Sequence, residues 1–162
     1  MSRLRLSHRV YAEGSSERLP VLLIHGLFGA ASNWHGIARR LAGDRRVLVP
    51  DLRNHGDSPW DARMDYPAMA GDLEALLDAQ GIERAHLVGH SMGGKAAMWL
   101  ALTKPDRVGS LVVADIAPVT YRSQLGHLIA ALIELPLDGI RDRRDAGRQL
   151  SRAIPSGAVR GY

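Results

Sequence analysis

Runs of apolar residues, glycine-containing turns and stretches of helical periodicity follow one another repeatedly along this chain. The apolar runs occupy residues 21–24, 47–49, 84–88 and 108–114. Apolar residues at helical spacing follow the first three runs, at 34–41, 66–81 and 95–103. A parallel strand needs a crossover of this kind before the chain can return in the same direction. The pattern therefore predicts an α/β fold, a mostly parallel sheet with helices on both faces.

The two ends of the chain depart from this pattern. Residues 3–11 alternate polar and apolar side chains, which predicts a half-buried edge or hairpin strand. Near the other end, helical spacing over 125–135 and an arginine-rich helix near 139–153 are not followed by another β-branched run. We therefore expect residues 1–118 to form a sheet core and residues 119–162 a helical region, within a single domain.

The composition excludes several classes of function. The 162 residues include no cysteine, which excludes a disulfide scaffold, a cysteine nucleophile and a thiolate-bound metal. No stretch approaches the roughly 18 apolar residues of a membrane-spanning helix, and the first residues lack the apolar region of a signal peptide. We expect a cytoplasmic protein with no membrane partner.

The formal net charge of +4 comes from the second half of the chain. Arginines alternate there with aspartates from Asp138 to Arg160, which is typical of a solvated helix face. No aromatic residues interleave with these arginines, and no nucleic-acid recognition motif accompanies them. The sequence therefore argues against a nucleic-acid partner.

The motif that carries chemistry is GHSMG at residues 89–93, a G-x-S-x-G. It lies between a predicted strand and a predicted helix, which is the setting of a nucleophile elbow. Such a turn holds its serine in a strained conformation with the hydroxyl exposed, and its glycines are needed because a Cβ would clash where strand and helix cross. An ordinary turn with a helix-capping serine is the alternative, and the context favours Ser91 as a nucleophile.

Backbone N–H groups near Ser91 are expected to suit a developing oxyanion. The N-terminus of the following helix supplies free N–H groups, including that of Met92. The first buried strand ends in HGLFG at residues 25–29, where a second donor is expected from Leu27 or Phe28. Two preorganised donors of this kind stabilise a tetrahedral anion by several kcal/mol in a dry site.

Taken together, these motifs resemble those of the α/β-hydrolase superfamily, and the resemblance runs from about residue 3 to the end of the chain. Within the superfamily they are similar to the ybfF-type esterases, a group of small acyl-ester hydrolases. The matching segments are HGLFG, the later Asn33-Trp34, DLRNHGDS at 51–58, GHSMGGK at 89–95 and DIAP at 115–118.

The resemblance implies roles for individual residues, with no cofactor and no metal. These are Ser91 as nucleophile, Met92 with Leu27 or Phe28 as the oxyanion hole, Asp115 as the triad acid, and His90 as a substrate-binding residue. Asp115 ends the strand expected beside the elbow strand, at the edge where active sites of parallel sheets lie. Asp51, which also ends a strand, is instead expected to accept backbone N–H bonds within its turn.

The resemblance also implies a histidine base that follows the acid in the chain. Six of the seven histidines precede Asp115, and the seventh, His127, lies on an apolar helix of the region that resembles the start of a helical cap. The chain therefore looks like the first two-thirds of a hydrolase, without its last two strands and its base. Strand 108–114 would then be an open edge, at which we expect self-association.

Two classes of function remain open from the sequence. The first is a serine hydrolase that cleaves a small acyl ester through an acyl-enzyme. A thioesterase, a lactonase or a cofactor-free haloperoxidase would use the same serine, whereas a dehalogenase is disfavoured because its nucleophile is aspartate. The second is a catalytically inactive hydrolase fragment that acts as a binding or partner-dependent module.

Overall fold

One five-stranded sheet forms the centre of the computed structural model, which describes residues 3–12, 17–120 and 126–161. The strands are β1 (His8–Tyr11), β2 (Val21–Ile24), β3 (Val47–Pro50), β4 (Ala85–His90) and β5 (Val108–Ala114), in the spatial order β1-β3-β2-β4-β5. β1 runs antiparallel to β3, and the other neighbours are parallel. The predicted α/β fold with a mostly parallel sheet is confirmed.

Three helices cross between the strands and cover both faces of the sheet. They are α1 (His35–Leu41), α2 (Tyr66–Ala79) and α3 (Met92–Thr103). Successive side chains of a strand point to opposite faces. Leu23 of β2 accordingly packs in a cluster with Ala38 of α1. Its neighbour Leu22 packs in a second cluster with Leu73 of α2 and Ala97 of α3.

Several element boundaries differ from the predicted ones. β1 is an edge strand, as expected, but pairs only over residues 8–11, opposite 47–50. A 3₁₀ turn at Ala31–Trp34 precedes α1. α3 begins at Met92 rather than at residue 95 and includes Gly93 and Gly94 despite the low helical propensity of glycine; both lie where a Cβ would not fit.

β5 lies at the other edge of the sheet. It pairs with β4 along one side, and no strand among the described residues pairs with its other side. Val112 in this strand is 53% exposed. β5 is thus the last strand on this side among the described residues, and an open edge with self-association through it stays a prediction.

The described residues from Val119 onward form a second compact unit. It contains α4 (Gly126–Ile133), α5 (Arg143–Gln149) and α6 (Gly157–Gly161), so the arginine-rich helix is shorter than predicted. Arg141, at 2.9 Å, and Arg148 hold the pKa of the Asp145 carboxyl below its ordinary value, and both arginines are largely exposed. α4 is apolar but has only 8 residues. None of the helices in the described ranges is long and apolar enough to cross a membrane.

Candidate active site

Ser91 occupies a tight turn between β4 and α3. Its backbone has φ 50° and ψ −116°, a combination that L-residues rarely adopt. The Ser91 N–H donates to the carbonyl oxygen of Ala114 at 3.0 Å, and the Ser91 carbonyl accepts the N–H of Lys95 at 3.1 Å. Hydrogen bonds on both sides therefore hold the serine in its strained conformation, which is the geometry of a nucleophile elbow.

Two glycines of the motif are required by close backbone contacts. A Cβ built on Gly89 would lie 2.5 Å from the carbonyl oxygen of Gly93. A Cβ on Gly93 would lie 2.7 Å from the carbonyl oxygen of Ile24, at the end of β2. These distances confirm the expected clash at the crossing of strand and helix. They also show that the elbow rests directly on the end of β2.

The turn at residues 25–29 lies against the elbow. A Cβ on Gly26 would be 3.3 Å from the Ser91 Cβ. Within this turn Phe28 has φ 61°, and its N–H donates to His55 Nε2 at 3.1 Å. Among the hydrogen bonds of the described residues, none engages the N–H of Leu27. The two predicted oxyanion donors in this turn thus differ, because only the N–H of Phe28 is already bound.

Asp115 follows β5 as Ser91 follows β4. The register pairs His90 with Ala114, so Ser91 and Asp115 leave the same edge of the sheet on neighbouring strands. Asp115 has φ 57°, and its side chain is 88% exposed. His90 Nε2 lies 3.7 Å from Asp115 Oδ2, which is too long for a hydrogen bond. The Asp115 carboxylate is therefore open to a further partner.

Of the other six histidines, five lie within residues 3–118 and one lies in the second unit. Five have a ring nitrogen hydrogen-bonded elsewhere, and they are His8, His25, His35, His55 and His86. His127 lies on α4 in the second unit. Among residues 3–12 and 17–118, no histidine is hydrogen-bonded to Ser91 or Asp115. No three acidic or histidine side chains of the described residues converge on a metal site.

The loop at 51–58 supports the turn at 25–29. Asp51 Oδ1 accepts the N–H of Ala31 at 2.6 Å, and Asp51 Oδ2 accepts the N–H of Asp57 at 3.1 Å. The expected structural role of Asp51 is confirmed. One of its two bonds reaches Ala31, just after the turn at 25–29, rather than a residue of its own turn.

A buried ion pair beneath the same loop was not predicted. Arg53 binds both carboxylate oxygens of Asp72, at 2.7 and 2.8 Å, and the two side chains are 1% and 0% exposed. The N–H of Leu4 donates to the same carboxylate at 2.7 Å. Asp72 lies beside Leu73 and one turn after Met69, both on the buried face of α2. A charged residue within this apolar pattern was the available signal for a buried partner.

Comparisons with known proteins agree with this geometry. A family profile described as alpha/beta hydrolase fold matches residues 20–147. Esterase YbfF of Escherichia coli (strain K12) is 50% identical over 122 residues, which cover 75% of this chain and 48% of that protein. The sn-1-specific diacylglycerol lipase ABHD11 of Mus musculus is 42% identical over 158 residues, which cover 93% and 52%. The solved structure of a marine microorganism esterase matches with a TM-score of 0.90 and 38% identity, over 98% of this chain and 62% of that one.

The sheet, the elbow and these matches show that the chain belongs to the α/β-hydrolase family. The resemblance seen in its motifs is thereby confirmed. The chain spans about half the length of the curated relatives it matches.

Proposed function

We propose that the protein is a serine hydrolase that cleaves carboxylic esters through an acyl-enzyme on Ser91. One observation carries the proposal, namely the strained backbone of Ser91 at the turn between β4 and α3, against the turn at 25–29. A half-buried serine held in this way at the end of a strand is the arrangement expected of a serine nucleophile. The printed names of two relatives, an esterase and a diacylglycerol lipase, support carboxylic esters as the substrate class.

The oxyanion hole is proposed to consist of the N–H groups of Leu27 and Met92. Met92 is the first residue of α3, where N–H groups have no acceptor within the helix. The helix dipole adds partial positive charge at the same place. The N–H of Phe28 is bound to His55, which favours Leu27 as the second donor. Negative charge that develops on the substrate oxygen would thus meet two fixed donors.

Asp115 is proposed to orient the imidazole that serves as base, and His90 to contact the substrate beside it. Ser91 Oγ attacks the ester carbonyl carbon while the imidazole takes its proton. The tetrahedral intermediate then expels the alcohol, which receives that proton, and a water molecule releases the acid by the reverse sequence. We place this imidazole outside residues 1–162, because the relatives are about twice as long as the segment matched here. In this proposal residues 1–118 are the hydrolase core and residues 119–162 begin a helical cap region.

The test is ester turnover by the complete gene product, whose length is established by reading the gene past codon 162. We expect hydrolysis of p-nitrophenyl acetate that falls about 10⁴-fold or more in Ser91→Ala and in Asp115→Asn. Ser32→Ala is the matched control, because Ser32 is an exposed serine on the 3₁₀ turn before α1. Full activity in Ser91→Ala would refute the proposed nucleophile.

A second measurement separates this proposal from a catalytically inactive module that binds acyl ligands. Residues 1–162 alone are assayed beside the complete gene product. Turnover only by a longer product supports a base outside these residues, whereas turnover by 1–162 that requires Ser91 contradicts that placement. No turnover by the complete product would favour the inactive module.

A further inference from the structure

Two buried histidines tie the turn at 25–29 to the loop at 51–58 in a reciprocal way. His25 belongs to the turn, and its Nε2 accepts the N–H of Leu52 in the loop at 2.9 Å. His55 belongs to the loop, and its Nε2 accepts the N–H of Phe28 in the turn at 3.1 Å. The ring centroids are 5.1 Å apart, and the two residues are 1% and 7% exposed.

The second ring nitrogen of each histidine fixes its protonation. Nδ1 of His25 lies 2.8 Å from the carbonyl oxygen of Gly26, and Nδ1 of His55 lies 2.8 Å from that of Arg53. A carbonyl oxygen only accepts, so Nδ1 carries the proton in both rings. Nε2, which accepts a backbone N–H in each case, is then unprotonated. Both rings are therefore neutral. Burial also lowers the pKa of His25, which favours its neutral form.

The bond from Phe28 to His55 helps to set the backbone geometry of the turn at 25–29. Phe28 has φ 61°, a strained value that a non-glycine residue adopts only when its surroundings impose it. Its side chain is 48% exposed and contributes little packing that would hold the turn. Three hydrogen bonds join the loop to this turn and the residues after it: Phe28 to His55, Leu52 to His25, and Ala31 to Asp51. The bond to His55 is the one that reaches the strained residue itself.

We infer that His55 is a positioning residue for the oxyanion hole: by binding the N–H of Phe28 it directs the N–H of Leu27 toward the carbonyl oxygen of the ester. This inference rests on the proposed function. His55 itself touches neither substrate nor Ser91 in this role. It acts through the backbone conformation of residues 27 and 28.

Two amide variants separate positioning from simple stabilisation. In His55→Gln the amide oxygen reaches the place of Nε2 and can accept the N–H of Phe28, but the bond to the Arg53 carbonyl is lost. In His55→Asn the amide nitrogen reaches the place of Nδ1 and can donate to Arg53, but the N–H of Phe28 loses its acceptor. Each variant gives up one hydrogen bond between the side chain and the backbone, so a merely structural role predicts losses of similar size.

We expect His55→Asn to lower kcat for p-nitrophenyl acetate about 10- to 100-fold, somewhat less than the loss of an oxyanion donor outright. Its KM should change less than about threefold, because the donor acts mainly in the transition state. His55→Gln should keep kcat within about threefold of the wild type. Equal losses of kcat in the two variants, or no loss in either, would overturn the inference.

A nuclear magnetic resonance experiment on the complete gene product tests the same arrangement without turnover. We expect a through-hydrogen-bond ¹⁵N–¹⁵N coupling between the Phe28 amide and His55 Nε2. We also expect the Leu27 amide shift to move in His55→Asn and to stay in His55→Gln. Absence of the coupling, or a Leu27 shift that does not respond, would overturn the inference. Both outcomes are distinct from a wild-type protein that shows the coupling but hydrolyses no ester, which would refute only the proposed function.

Discussion

Replacing Ser91 with glycine should leave the protein more stable than replacing it with alanine. Both variants lack the hydroxyl, so they differ only in the Cβ at a position with φ 50° and ψ −116°. Alanine keeps the strain of that conformation, and glycine removes it because it has no Cβ to clash. At most positions the alanine variant is the more stable of the two, since glycine loses more backbone entropy on folding.

The size of the effect follows from these two opposing quantities. A residue held in such a sparsely populated region costs about 1–3 kcal/mol. The entropic disadvantage of glycine relative to alanine is about 0.5–1 kcal/mol. We therefore expect Ser91→Gly to have a free energy of unfolding about 1 kcal/mol larger than Ser91→Ala.

Urea denaturation followed by circular dichroism measures this difference, with Ser32 as the reference position. Ser32 does not have a positive φ and is exposed. Ser32→Gly should therefore be less stable than Ser32→Ala by about 0.5–1 kcal/mol. If the glycine variant were also the less stable one at Ser91, the serine would not be strained and this part of the reasoning would fail.

Three further predictions concern the packing beneath the site. Gly93→Ala should lower the free energy of unfolding by about 3 kcal/mol, because the new Cβ would meet the carbonyl oxygen of Ile24 at 2.7 Å. Gly71→Ala on α2 is the control and should not lower it, because its Cβ would meet only a side-chain carbon at 3.8 Å. Asp72→Ala should lower the free energy of unfolding by about 3 kcal/mol in urea denaturation, since it leaves the buried Arg53 guanidinium with only the longer ion pair to Asp61 at 3.8 Å. An unchanged midpoint would contradict this. Burial lowers the pKa of His25 from its ordinary 6.5, so its contribution to stability is complete above that pH and is lost as the pH falls through the lower folded-state pKa. His25→Gln should therefore flatten the loss of stability below pH 6.5, and an equally steep loss would refute this.

The order and type of the main elements could be predicted from the sequence because each buried strand is a local apolar run. β2 and β5 have the predicted bounds, and helix α2 begins at the predicted Tyr66. Prediction was poorer where packing overrides local preference, as at the start of α3. The short paired part of β1 depends on the length of its partner β3, which residues 3–11 do not encode by themselves.

The candidate site could be predicted from the sequence only in part. Ser91 and the glycines around it form a contiguous motif, so a pattern in five residues points to the elbow. The bond between Phe28 and His55 joins loops that are 27 residues apart. The sequence alone does not show which residues of two separate loops come into contact. His55 could therefore be recognised as the acceptor for the Phe28 N–H only in the folded structure.

The most direct test of the account is to trap the acyl-enzyme. The complete gene product is mixed with p-nitrophenyl acetate, quenched in acid and digested, and the acetylated residue is located by mass spectrometry. We expect an acetyl group on Ser91 of the wild type, and neither the acetyl group nor turnover in Ser91→Ala. Turnover at the wild-type rate in Ser91→Ala, or an acetyl intermediate on another residue, would contradict it.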